Sequence, residues 1–154
     1  MEMRILGIMA AAVLVAAWNA PSSTHPSRTN YTAQLNGAME IPPNTSKATG
    51  TATFSLEGNE LHYMVTVHGL SGPASAAHIH AGKSGESGKP VLKLEIKNVA
   101  DGQLADDSVD LSKMMGMGVS GDSVKALLAN GAAYVNVHTA KFPGGEVRGQ
   151  LTAQ

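Results

Sequence analysis

Residues 50–67 read as a β-hairpin, and no other stretch constrains the fold of this chain so tightly. Gly50 to Leu56 alternates, with Ala52, Phe54 and Leu56 on one face. Leu61, Tyr63, Val65 and Val67 then share a face opposite His62, Met64, Thr66 and His68. Successive side chains of a strand point to opposite sides, so each arm has one apolar and one wet face. Glu57-Gly58-Asn59-Glu60 supplies the turn between them.

The same period of two recurs along the chain. Tyr31 to Leu35 alternates and ends in the turn signal Asn36-Gly37. Ile41-Pro42-Pro43-Asn44 cannot join a central ladder and reads as a loop or an edge. Gly69 to Pro73 breaks the chain before a segment around His78, and a Gly-rich loop, residues 81–90, follows it. Val91 to Ile96 is a further strand, and Asp101-Gly102 a turn. One short helix is expected from Asp122 to Ala129, capped by Asp122 or Ser123, striped by Val124, Leu127 and Leu128, and ended by Gly131. The Tyr134 strand comes next, and Gly144-Gly145 turns the chain into Glu146 to Leu151. About seven short strands with one minor helix predict an all-β fold, an antiparallel Greek-key β-sandwich or barrel.

With 154 residues the chain makes one domain with a real core. Its 11 basic and 12 acidic residues leave no basic footprint for nucleic acid. The absence of cysteine excludes disulfides, thiolate zinc sites and thiol nucleophiles. Arg4 followed by the apolar run Ile5 to Ala17 reads as a secretory signal peptide over residues 1–17, with a cut after Ala20 the poorer option because of Trp18. The run is too short to span a bilayer, so no membrane span is expected in the mature form. Residues 18–29, which include His25, read as a flexible leader and residues 30–154 as the β domain. A secreted or periplasmic location follows from this reading.

Two segments carry chemistry: Ala77-His78-Ile79-His80-Ala81 and Tyr134-Val135-Asn136-Val137-His138. On a strand, His78 and His80 face the same way, with Cα atoms about 7 Å apart. Val135 and Val137 face away from His138. Three imidazoles therefore leave the non-core side of two strands, which is a plausible metal site. The competing reading is a polar pair whose ring nitrogens satisfy loop carbonyls. The Met114-Met115-Gly116-Met117 run is better read as packing than as a thioether copper site.

Leu70-Ser71-Gly72 with Ala76-Ala77-His78-Ile79-His80, and Tyr134 to Thr139 with Phe142-Pro143-Gly144-Gly145-Glu146-Val147-Arg148-Gly149-Gln150-Leu151, resemble the two halves of the CHRD domain, the module named after chordin. The similarity runs from about Tyr31 to Leu151. It implies an extracellular or periplasmic all-β domain. The loop after His80 departs from the family pattern, with Ala-Gly-Lys-Ser-Gly where Gly-Pro is commoner.

Three imidazole ligands without thiolate suit copper, with zinc as the alternative. The His-x-His pair is also locally similar to that of copper–zinc superoxide dismutases. The expected function is copper binding at His78, His80 and His138, with superoxide as a small anionic substrate. His68, His62 or water would be the fourth ligand. Symmetric pairing about Gly144-Gly145 puts Arg148 near the level of Thr139 to Lys141, so Arg148 is expected to guide the anion, with Lys141 as second candidate. A structural ion pair of Arg148 with the Glu146 region or Glu40 is the competing role. The alternative function is a non-enzymatic metal carrier or an extracellular protein-interaction module.

Overall fold

The computed structural model describes residues 26–114 and 117–154. The signal peptide, its cut site, His25, Met115 and Gly116 lie outside the described residues. Nine strands and one helix appear in chain order: β1 (Arg28–Asn36), β2 (Thr49–Glu57), β3 (Glu60–His68), β4 (Ala74–Ala81), β5 (Pro90–Leu94), β6 (Gly102–Asp110), α1 (Gly121–Ala129), β7 (Ala133–Thr139), β8 (Val147–Gln150) and β9 (Thr152–Ala153). They form one antiparallel sheet in the order β5-β4-β7-β8-β1-β2-β3-β6, with β9 beside β1, curled nearly into a barrel. β1 starts at Arg28, so its first two residues belong to the segment read as leader.

The hairpin of β2 and β3 pairs as its alternation requires, from Glu57 opposite Glu60 to Thr49 opposite His68. Its two-residue loop uses Gly58 at φ 61°, a conformation that glycine adopts at little cost. Ala52, Phe54, Leu61, Tyr63, Val65 and Val67 enter the core, while His62, Met64 and His68 stay outside. The two halves of the sheet send Leu35, Val65, Ile79, Leu94, Leu104, Val135 and Leu151 into one common interior.

β6 is a strand that sequence reading left unassigned between the Asp101-Gly102 turn and the helix. It pairs with β3 along its length, with a bulge between Val65 and Thr66. The bulge puts Leu104 and Ala105, consecutive residues, both inside. α1 is capped by the Ser120 side chain, two residues ahead of the expected cap, and Asn130 with Gly131 at φ 61° ends it. Its Val124 and Leu128 are buried; Met114 packs against the core, and Met117 is exposed.

Candidate metal centre

β4 and β7 are neighbours in the sheet, and their register builds the centre. Ala76 lies opposite His138, His78 opposite Asn136 and His80 opposite Tyr134. Ile79, Val135 and Val137 are fully buried in the core, which leaves His78, His80 and His138 on the other face. The three rings converge, with centroid separations of 5.6, 5.2 and 5.9 Å. One ring nitrogen from each lies within 4.8 Å of the others.

The hydrogen bonds say which nitrogens are free. His80 Nδ1 lies 3.0 Å from the Gly88 carbonyl, and His138 Nδ1 lies 3.0 Å from the Pro143 carbonyl. A carbonyl only accepts, so each Nδ1 carries the proton and each Nε2 keeps a lone pair. His138 Nε2 faces His78 Nδ1 at 3.3 Å. Two imidazoles held about 2.0 Å from one ion in tetrahedral geometry have nitrogens about 3.3 Å apart, so the pair is spaced for a shared ion. His80 Nε2 is buried and has no partner among the described residues. A buried acceptor left bare is costly, and an ion would satisfy it. The loop-carbonyl contacts of the competing reading are present at two of the three rings. Two rings spend one nitrogen on a loop carbonyl, and that bond fixes the tautomer that frees the other, as backbone partners of metal-bound histidines do.

All three rings favour the neutral, ligating form. Burial, followed by the charges of His138, His80 and Lys93, lowers His78 from 6.5 to about 4. Burial also lowers His80, against the opposing Gly88 bond, and it lowers His138, against the Pro143 bond.

The wall beside the centre is aromatic and cationic. Tyr134 stacks on His80 at 5.1 Å between ring centroids, and Arg148 lies over the same tyrosine ring at 3.5 Å. Because β7 runs between β4 and β8, Tyr134 stands between His80 and Arg148. Arg148 lies opposite Asn136, not at the level of Thr139 to Lys141. The β7–β8 connection is not a tight turn symmetric about Gly144-Gly145: Glu146 N–H already bonds the Val137 carbonyl, which draws Arg148 further down the strand. Arg148 makes no ion pair with Glu40 or Glu146 either; it is buried and donates through Nη2 to the Glu86 carbonyl at 2.6 Å. Lys141 is exposed and leans on Phe142. His62 and His68 lie on β3, outside the group of three, so neither is brought to the site as a fourth ligand.

Several residues that support the centre carried no signal of their own. Gly88, whose carbonyl orients His80, sits so close to Ala81 that a Cβ would fall on the Ala81 carbonyl. Glu146 is fully buried and accepts from Ser46 Oγ at 2.7 Å, Ser71 N–H at 2.8 Å, Ser71 Oγ at 2.7 Å and Thr139 Oγ1 at 2.6 Å. Burial raises its pKa, yet these bonds outweigh that and hold it below the usual carboxylate value. This knot ties the loop before β4 to the two ends of the β7–β8 connection, whose Pro143 carbonyl orients His138. The Asn44 side chain joins it by donating to the Gly145 and Glu146 carbonyls. Ser71 and Glu146 lie in the two resemblance motifs, and that was the only available signal for them. Lys93, opposite His78 on β5, is an exposed cation at the rim, ion-paired with the equally exposed Glu95 at 3.1 Å.

No helix among the described residues is long and apolar enough to cross a membrane. No curated protein and no solved structure matches the chain. A family model described as the CHRD domain matches residues 31–151, which take in both histidine strands and the Glu146 knot, and the chain belongs to the CHRD domain family.

Proposed function

We propose that the protein is a secreted copper-binding CHRD-domain protein that dismutates superoxide at His78, His80 and His138. The observation that carries this is the convergence of three neutral imidazoles with two tautomers fixed and His80 Nε2 bare. His78 Nδ1, His80 Nε2 and His138 Nε2 would hold the ion. No carboxylate belongs to the group among the described residues, and an all-nitrogen set suits copper. Bound copper supplies one-electron redox cycling, so that two superoxide ions and two protons give one dioxygen and one hydrogen peroxide. The chain's own residues position the reaction. The Gly88 and Pro143 carbonyls hold the rings, and Tyr134 closes the His80 side against solvent. Lys93 offers positive charge at the open rim beside His78, while Arg148 adds its field from behind Tyr134. Such charges steer small anions and speed their association.

The test loads the purified chain with Cu²⁺ and measures stoichiometry, the paramagnetic signal and superoxide turnover. One copper per chain with turnover is expected. His80→Ala should lose both, and retention of both would refute the assignment. Stoichiometric metal without turnover would instead identify a carrier, and tight zinc without a paramagnetic signal would identify the alternative ion.

A further inference from the structure

A second cluster of chemistry lies on the far side of Tyr134. A cleft of about 300 Å³ opens there, lined by Met39, Glu40, Ile41, Pro43, Arg148 and Gln150 with the Ser84-Gly85 backbone. None of the three histidines reaches it.

Its electrostatics are incomplete. Arg148 is 3% exposed, yet it makes no ion pair among the described residues. Only Nη2 is used, towards the Glu86 and Lys83 carbonyls; Nε and Nη1 donate to nothing described. The Tyr134 face and these carbonyls offset part of the cost of burying the charge, and a counter-ion would offset more. The Glu40 carboxyl feels the Arg148 charge; it is 7% exposed, and its Oε1, enclosed beside Gly145 and Asn136, has no partner. Burial raises it from 4.5 to about 7, in spite of Arg148 and the Asn136 bond, so near neutral pH Glu40 is only a partial counter-ion. The opposite wall is apolar, and Met39 and Ile41 are 43% and 41% exposed. A guanidinium sharing a cleft with an apolar wall matches an anion with a hydrocarbon body, and the volume is that of a small-molecule site.

We propose that this cleft binds a small aliphatic carboxylate, held by Arg148, with its hydrocarbon part against Met39, Ile41 and Pro43. The site needs no metal, although it shares Arg148 with the anion guidance proposed above. A carboxylate would accept from the unused Arg148 N–H groups and would neutralise the guanidinium. Inorganic anions such as chloride satisfy the charge but leave the apolar wall wet.

Sodium butyrate titrated into the full chain, with and without Cu²⁺, is the test, followed by amide NMR shifts. Saturable shifts at residues 38–41, 84–85 and 148–150 are expected in the metal-free chain, and calorimetry should give the same affinity with and without Cu²⁺. Equimolar sodium chloride should not reproduce them. Ile41→Asp puts a negative charge at the exposed wall without touching the core, and should weaken binding by roughly tenfold. Arg148→Gln should abolish binding, but Arg148 also braces the 83–86 loop, so Ile41→Asp is the cleaner variant. Absence of saturable shifts, equal shifts with chloride, unchanged affinity in Ile41→Asp, or shifts centred on residues 78–80 and 138 would each overturn the proposal.

Discussion

Glu40 and Lys93 show how single side chains set measurable behaviour. The folded value of Glu40 lies above that of an ordinary carboxyl, so between pH 4.5 and about 7 the folded chain binds more protons than the unfolded one. Stability should therefore fall as pH rises through that window and level off above it, by on the order of 3 kcal/mol from this group. Urea unfolding across pH should show the slope, and Glu40→Gln should flatten it. The histidines act in the opposite sense. His78 is depressed to about 4, so the metal-free chain should lose stability as pH drops from 6.5 towards 4, where the unfolded state takes up protons the folded ring refuses. Lys93 acts through its field. Lys93→Gln should lower kcat/KM for superoxide about threefold at low salt and flatten its dependence on ionic strength, because exposed charges are screened. An unchanged salt dependence would remove Lys93 from the guidance role.

Among the elements, the two loops that aim the histidines are the sensitive parts. Gly145 has φ 133°, and a Cβ there would meet Glu40 Oε1 at 2.6 Å and crowd the Asn136 amide. Gly145→Ala and Gly88→Ala should each cost about 2–4 kcal/mol and weaken copper binding at least about tenfold, because they shift the carbonyl-bearing loops rather than the ligands. Calorimetry and copper titration would check this; native affinity in both variants would show that the loop carbonyls do not position the rings. At this scale the sequence was partly legible. The β2–β3 hairpin could be read because an unbroken period of two survives in it, and the His-x-His strand because alternation holds from Ala76 to Ile79. β6 was hidden, since its bulge makes Leu104 and Ala105 both face inwards and Asp106, Asp107 and Asp110 dilute its pattern. The level of Arg148 was misjudged because spacing around two glycines does not report which hydrogen bonds open the ladder. The three histidines were found from periodicity alone, whereas Gly88, Pro143 and Glu40 reach them or their neighbours through tertiary contacts that no local pattern encodes.

For the molecule as a whole, the nearly closed sheet explains why the centre can exist at all. The strand order sets β4 beside β7 although 60 residues separate His78 from His138. A metal held between them binds only the folded chain, since the unfolded chain scatters its ligands. At a free concentration of 100 times Kd this contributes about 2.7 kcal/mol. The melting temperature should then rise by on the order of 10 °C with Cu²⁺. His78→Ala should abolish the rise, and an equal rise in that variant would place the metal elsewhere. A cysteine-free chain has no covalent cross-link to shorten its unfolded state. An ion gripped by imidazoles 60 residues apart in the sequence would serve as its removable rivet, so that losing the metal to a chelator would loosen the whole barrel as well as silence its chemistry.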